Sequence, residues 1–230
     1  MSNTAMMMGL GSGGITPAPD AIGAEYGGGF YAGNIIQGGT EYYIIVAPKS
    51  SGQNSSKQWK TSSSAAPAAT QTLNNGPASS LSMDSSAYPA AQFCEGLTIG
   101  DYTDWYFPAR DELELCYRNL KPTTSSNSTG NRAKSSIAYP EGNDVSADTI
   151  GINRNSSPAG GAYTSGSPSQ TSVTDFQTGG SEAFDAGDYS CSTEYSSTGY
   201  WEQDFSNGGQ NGPMTKTRAV RVRAVRRVPV

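Results

Sequence analysis

The chain has 230 residues, of which 20 are acidic and 15 basic, giving a formal net charge of −5. This acidic balance argues against the basic surface that nucleic-acid-binding domains carry. No apolar run approaches the roughly 20 residues that a membrane-spanning helix needs. We therefore expect one large domain or two small ones, without nucleic-acid binding and without membrane insertion.

The composition predicts a modest core carrying much irregular surface. Charged residues make up only 15% of the chain, which argues against charge-driven disorder, and 13 Tyr with 3 Trp favour a packed interior. The 28 Gly, with many Ser and Asn, favour loops and short strands. The first residues lack a basic stretch followed by an apolar one, so we expect no secretory signal and folding in a cytoplasm.

The thiol and imidazole content limits the available chemistry. Cys94, Cys116 and Cys191 are an odd number of cysteines, and the chain contains no His. We expect buried free thiols rather than a disulfide framework, with a Cys94–Cys116 bond possible only if two helices touch. The sequence assigns no catalytic residue, no cofactor and no metal ligand. Asn143, Asp144 and Asp148 could offer oxygens to a hard cation, but a polar turn accounts for them.

The first half of the chain alternates between patterned and loose segments. Residues 1–27 form a Gly-rich arm without periodicity. Residues 30–36 and 42–47 are β-prone and flank Gly38-Gly39, which predicts a hairpin. Residues 49–86 are rich in Ser, Ala and Asn, and we interpret them as a long functional loop or a wrapped surface segment.

Two helices are predicted next, from apolar residues at helical spacing. The first covers about 89–97. The second begins near Ala109 or Arg110 and ends before Lys121-Pro122. Asp111, Glu112 and Glu114 lie in its first turns, where we expect these acids to cap and solvate the helix.

The second half begins with another polar segment, 123–180, for which both a disordered segment and an ordered loop pinned by a few apolar anchors remain open. Strands are then predicted around 189–195 and 200–205, and along "RAVRVRAVRRV", with a bulge or change of face at Ala224-Val225. If the last two strands pair, Glu202 and Asp204 lie opposite Arg221 and Arg223.

Four motifs in this order carry a family resemblance: "TDWYFPARDELELCY", "YSCSTEY", "WEQDFSNGG" and "VRVRAVRRV". The chain resembles C-type-lectin-like domains of the phage and bacterial type that are distantly similar to formylglycine-generating enzymes. Two positions depart from the family pattern. Ala109 replaces a helix-capping Ser or Thr, and Ser190 replaces a Trp.

The resemblance implies an α+β fold, with a small twisted antiparallel sheet, two flanking helices and terminal strands side by side. The domain would cover 28–230, with long polar loops at 49–86 and 123–180. In such folds the loops form a variable recognition surface, and phages use the fold at virion surfaces.

We therefore expect a non-enzymatic phage virion surface protein of the tail-fibre or adhesin type, assembled in the host cytoplasm, that binds a host receptor or glycan through its loops. The alternative is a capsid or tail decoration protein, whose loops and arm bind other virion subunits. Tyr and Trp offer contact area to a ligand, and the candidate ligand-binding residues are Trp59, Tyr163 and Tyr200. Self-association remains open.

Overall fold

The structure is a computed structural model that describes residues 18–141 and 149–230. These described residues form two β-sheets and four short α-helices, so the predicted α+β class is confirmed. The first 17 residues of the predicted arm lie outside the described residues. The end of that arm belongs to the fold, because Glu25–Tyr26 forms a strand.

The first sheet joins the beginning of the domain to its last strand. Its order is β1-β2-β3-β10, with β5 added beside β2, and all pairs are antiparallel. Val225 lies opposite Val46, so the predicted neighbourhood of the terminal strands is confirmed. The predicted hairpin is confirmed too, and Gly38 and Gly39 both adopt positive φ, as a two-residue turn requires. The strands are β1 Glu25–Tyr26, β2 Gly29–Gln37, β3 Thr40–Val46, β5 Ser156–Ser157 and β10 Val225–Pro229.

The second sheet has the order β4-β9-β6-β7-β8. Its neighbours β6 and β9 run parallel, whereas the other pairs are antiparallel. The strands are β4 Gln53–Gln58, β6 Asp188–Ser196, β7 Gly199–Asp204, β8 Gln210–Thr215 and β9 Ala219–Arg223.

Ala224 is the point at which the chain passes from the second sheet to the first. It donates its N–H to the carbonyl of Gly52 (2.9 Å) and accepts from the N–H of Ala47 (3.0 Å). The predicted irregularity at Ala224-Val225 is therefore a change of sheet. Because β6 lies between β7 and β9, the expected pairing of Glu202 and Asp204 with Arg221 and Arg223 is wrong.

The acids and arginines of these strands find other partners. Glu202 pairs with Arg218 (2.6 Å) from the turn before β9, and Arg223 pairs with Glu182 (2.7 Å). The arginines of β9 therefore bind segments outside the sheet rather than a neighbouring strand.

The helices are α1 Lys49–Gly52, α2 Gly76–Ser82, α3 Pro89–Glu95 and α4 Arg110–Leu120. The two predicted helices correspond to α3 and α4 and are confirmed. The segment 49–86, which was expected to be a loop, instead contributes α1, β4 and α2. Its strand has the polar sequence QNSSKQ, which lacks a strand pattern, and pairing with β9 fixes its extended conformation.

Two buried clusters cover the second sheet from opposite faces. Trp201 belongs to the cluster that packs beneath α4, and the adjacent Tyr200 belongs to the other cluster, beside α3. All three cysteines are free and buried, as predicted, and Cys94 lies in a different cluster from Cys116. Among the described residues, no helix has the length and apolar character to cross a membrane.

Candidate functional site

The acidic residues at the start of α4 are buried, not solvated as expected. Asp111, Glu112 and Glu114 have almost no exposed surface. Segments from both polar stretches of the sequence cover this end of the helix and supply hydrogen-bond donors to the carboxylates. The helix therefore uses its acids as internal anchors, because a buried carboxylate needs such partners.

Glu112 caps the helix from inside. Its Oε2 accepts from the N–H of Ala109 (2.7 Å), and its Oε1 accepts from the hydroxyl of Tyr106 (3.1 Å) and the N–H of Gly76 (3.4 Å). Burial raises the pKa of Glu112 to about 7, although these donors oppose the shift.

Ala109 lacks the side-chain hydroxyl with which a Ser or Thr would cap α4, and groups from elsewhere in the chain take over this role. The N–H of Arg110 donates to Thr193 Oγ1 (2.9 Å), and the N–H of Asp111 donates to the carbonyl of Leu73 (2.8 Å). Thr193 in turn donates to the carbonyl of Thr72 (2.8 Å). These tertiary contacts satisfy two of the N–H groups that a helix leaves unpaired at its start.

Glu114 anchors the segment after residue 149 to the helix. Its carboxylate accepts from the Tyr163 hydroxyl (2.7 Å) and from the Asn153 side-chain amide (2.7 Å), and it pairs with Arg118 (2.8 Å). Burial raises the pKa of Glu114 above its ordinary value. Asp111 adds a further anchor by accepting from the amide of Asn155 (2.7 Å).

Asn127 makes the second polar anchor. Its Oδ1 accepts from the Tyr117 hydroxyl (2.7 Å) and from Lys121 Nζ (2.7 Å). Its amide donates to the carbonyls of Thr164 (3.0 Å) and Pro168 (2.9 Å). One buried side chain therefore connects the end of α4 to two points of the later loop.

We call the described residues 123–141 and 149–180 the loop region. They contain only one two-residue strand and one short 3₁₀ turn, and the network above holds them against α4. Of the two alternatives for 123–180, the structure shows the ordered loop for these residues. Asn143, Asp144 and Asp148, the candidate cation ligands, lie outside the described residues.

A polar groove opens where the loop region meets α4. It has a volume of about 550 Å³. A smaller cleft of about 280 Å³ adjoins it and shares Ser169 and Gln170. We call the two together the loop groove. Hydroxyl and amide side chains dominate the wall of the larger part, whose lining residues are Ala21, Ile22, Arg118, Asn119, Ser167, Pro168, Ser169, Gln170, Thr171, Ser172 and Val173.

The three aromatic candidates do not line this groove. Trp59 and Tyr200 are fully buried and stack on each other, with ring centroids 6.0 Å apart. Tyr163 is 3% exposed and donates to Glu114. Their expected exposure is wrong: Trp59 and Tyr163 fix polar segments to the core, and Tyr200 packs into the interior from β7.

The three cysteine thiols are shielded from solvent. Burial raises the pKa of the Cys94 and Cys116 thiols, and raises that of Cys191 to about 12. Among the described residues, no group of three acidic or cysteine side chains is placed to hold a metal ion.

Comparisons of the chain with protein families, curated proteins and solved structures each found no match.

Sequence reasoning missed the residues that build the groove. The anchors Asn127 and Asn153 lie in polar loop segments that show no periodicity, and Glu114 has the pattern of a solvated residue at a helix start. The only available signal was the dense hydroxyl and amide run "TSGSPSQTS", which supplies most of the groove wall.

Proposed function

We propose that the chain is a non-enzymatic recognition protein that binds a carbohydrate of a host cell surface in the loop groove. The observation that carries this proposal is the groove itself, a concave surface of hydroxyl and amide groups on an ordered loop region. Exposed Ser167, Ser169 and Ser172 offer both donors and acceptors. A neutral, hydroxyl-rich ligand matches such a surface.

The anchoring network supports recognition because it holds the groove in shape before a ligand arrives. Asn127 fixes the carbonyl of Pro168, and Arg118 donates to the carbonyl of Gly161 (2.8 Å). A preformed site loses less conformational entropy on binding than a floppy loop would. Loops carried by a rigid scaffold are a common location for binding residues.

For the fold, we propose the C-type-lectin-like arrangement. The sequence motifs support it, as do three features of the structure: the terminal strands share a sheet, α3 and α4 pack on the sheets, and the loop region gathers beside α4. The same motifs support a location on a phage virion, in a tail fibre or another adhesin.

Binding is favoured over catalysis by the state of the reactive groups. The three thiols are buried with raised pKa values, and the carboxylates of α4 are occupied as structural acceptors. The loop groove is lined by alcohols and amides, groups that hydrogen-bond well but need an activating base before they act as nucleophiles.

The test uses Ser169, an exposed residue shared by both parts of the groove. A Ser169→Trp variant fills the groove, whereas the matched Ser169→Ala variant removes only a hydroxyl. Each protein is titrated against immobilised bacterial surface polysaccharides and against whole host cells. We expect the Trp variant to lose at least about tenfold in affinity, equivalent to about 1.4 kcal/mol, and the Ala variant to stay within about threefold.

Two results would contradict the proposal. One is parental binding by Ser169→Trp, which would place the ligand elsewhere. The other is binding to assembled virions alone, with no adsorption to cells or polysaccharides. That second result would instead favour the capsid or tail decoration protein.

A further inference from the structure

Two rows of side chains cross β2, β3 and β10 on one face of the first sheet. Residues directly opposite each other on neighbouring strands project to the same face, as do residues two positions apart on one strand. We call these rows together the Tyr43 face. It lies opposite the side of the sheet that packs beneath α4. One row is Asn34, Tyr43 and Val228, and the next is Ile36, Glu41 and Val230.

The Tyr43 face is apolar although solvent reaches it. Ile36 is 38% exposed and Val230 is 62% exposed, and both rank among the four exposed large hydrophobic residues of the described chain. Tyr43 and Val228 in the adjacent row are half-buried. An antiparallel sheet with one packed face usually carries polar residues on the other. Neighbouring apolar side chains on this face therefore indicate a contact surface.

The aromatic part of this surface is held in place before any partner arrives. The rings of Tyr26 and Tyr31 pack edge to face against Tyr43, with centroids 5.8 and 5.5 Å from it. The hydroxyl of Tyr31 donates to Asn34 Oδ1 (2.5 Å), and the Asn34 amide donates to Glu41 Oε1 (2.8 Å). Because these side chains are already fixed, binding costs them little conformational entropy.

Glu41 gives the Tyr43 face an uncompensated negative charge. Hydrogen bonds from Asn34 and Ser157 lower the pKa of Glu41, so its carboxylate is charged at neutral pH. No described residue forms an ion pair with it. Arg226, which projects to the same side of the sheet from β10, is committed to the carboxylate of Asp104 (2.8 and 2.9 Å). Charge complementarity therefore favours a ligand that carries a cation.

The surroundings of Glu41 favour a protein as the source of that cation. Ile36 and Val230 flank Glu41 in its row, so a group that reaches the carboxylate also touches two aliphatic side chains. A carbohydrate would place hydroxyl groups against them without hydrogen-bond partners. Small ligands bind in concave sites that enclose most of their surface, whereas this surface is the face of a sheet. A protein partner extends its contacts beyond the two rows, over the larger area that protein interfaces bury.

We propose that the Tyr43 face docks a protein partner, which places one Lys or Arg side chain on Glu41 and packs apolar side chains against Ile36, Tyr43 and Val230. The proposal is independent of carbohydrate binding in the loop groove. It gives the molecule a second binding surface, suited to a polypeptide with a basic residue between apolar ones.

The probe is the capped pentapeptide acetyl-Leu-Ser-Lys-Ser-Leu-amide, whose Leu and Lys side chains share one face of an extended chain. It is titrated into the ¹⁵N-labelled full chain while the backbone amides of Glu41 and Tyr43 are followed by NMR. We expect saturable shifts with a millimolar dissociation constant. A peptide with Glu in place of Lys, and one with Gly in place of both Leu residues, should each bind at least about fivefold more weakly, a difference of about 1 kcal/mol.

Variants assign the two contacts separately. Glu41→Gln should abolish the preference for the Lys peptide over the Glu peptide, because it removes the charge that distinguishes them. Ile36→Ser, at an exposed position, should weaken both peptides and provides a second test. Glu25→Gln is the matched control and should bind like the parent. Glu25 is an exposed acid of the same sheet, and it pairs with Phe30 on the opposite face.

Four outcomes would overturn the proposal. Two are equal affinity for the Lys and Glu peptides and unchanged binding in Ile36→Ser. The third is n-butylammonium chloride binding as tightly as the Lys peptide at the same amides, which would indicate a simple cation site. The fourth is a dimer in sedimentation that Ile36→Ser dissociates, which would make a second copy of the chain the occupant. Failure here leaves the Ser169 experiment on the loop groove unaffected, since the two surfaces share no residue.

Discussion

The two sheets and the loop region are each stabilised by a different arrangement of interactions. In the first sheet, residues such as Ile35, Ile44 and Val46 are fully buried, and ladder hydrogen bonds join every strand to a neighbour. The loop region instead relies on a few isolated anchors: buried aromatic residues such as Tyr139, Tyr163 and Phe176, and polar side chains, of which Asn127 alone makes four hydrogen bonds. In the sheets, the stabilising contacts are spread over many buried residues, whereas in the loop region a few residues make most of the contacts that order it. A change in the sheets should therefore affect the whole fold, and a change in a polar anchor should act locally.

The largest expected effect tests the first half of this comparison. Trp201 is fully buried in β7, its ring packs on Tyr195 with centroids 4.8 Å apart, and its N–H donates to the Tyr139 hydroxyl (2.7 Å). Trp201→Ala should lower the free energy of unfolding by about 3–5 kcal/mol, through lost burial and a cavity. Urea denaturation measures the change, and Trp201→Phe, which keeps a ring, should lose clearly less. Fluorescence and circular dichroism should give one shared midpoint; separate midpoints would show that the sheets and loops unfold independently.

A second expected effect depends on pH and concerns the junction between the two regions. Burial raises the pKa of Glu112 to about 7. Between the ordinary pKa of a Glu side chain and about 7, the folded protein therefore holds a proton on Glu112 that the unfolded chain has already released. The contribution of Glu112 to stability is full below the unfolded pKa and is lost as pH rises through 7, at up to about 1.4 kcal/mol per pH unit.

Glu112→Gln should remove this dependence. Denaturation experiments between pH 4.5 and 8 give the free energy of unfolding as a function of pH. The slope of this curve should correspond to up to one fewer proton released on unfolding than in the parent. Burial also raises the pKa of Glu202 to about 7, so part of the slope should remain, and a double variant should reduce it further. A Glu112→Gln protein with the parental slope would show that Glu112 is ionised throughout this range.

The smallest expected effect tests the second half of the comparison. Asn127→Ala leaves the Tyr117 hydroxyl without its acceptor and frees the carbonyls of Thr164 and Pro168. We expect a loss of about 2 kcal/mol, the typical cost of an unsatisfied buried group. Hydrogen exchange should accelerate in residues 123–141 and 149–170 while β2 and β3 stay protected. The exposed Asn131→Ala is the control, and uniform acceleration in both regions would refute the idea of local anchoring.

Many of the helices and strands could be predicted from the sequence because their signals are local. The hairpin flanking Gly38-Gly39, the helix ending before Lys121 and the change of direction at Ala224 are each marked by periodicity or by turn residues within a few positions. The meeting of β3 with β10 followed from the family resemblance. Pairing partners inside the second sheet were missed, since nothing local in "VRVRAVRRV" specifies that β6, rather than β7, lies beside it.

The groove could not be predicted, because its determinants are distant in sequence. Asp111, Glu112 and Glu114 have the pattern of a solvated helix start, and only the covering donors of Asn153, Tyr163 and others make them internal. The polar sequence of β4 becomes a strand only through its neighbour. In both cases a tertiary contact overrides a local preference, and single-residue chemistry does not reveal which contact will form.

The passage of the chain through Ala224 has a consequence for biosynthesis. Residues 219–229 complete both sheets at once, and β10 pairs with a hairpin made almost a whole chain length earlier. A nascent polypeptide on the ribosome therefore cannot close either sheet until this segment has emerged. With such high contact order, we expect the folding of both sheets to be slow, and the edge of the β2–β3 hairpin that pairs with β10 to stay unpaired until β10 arrives.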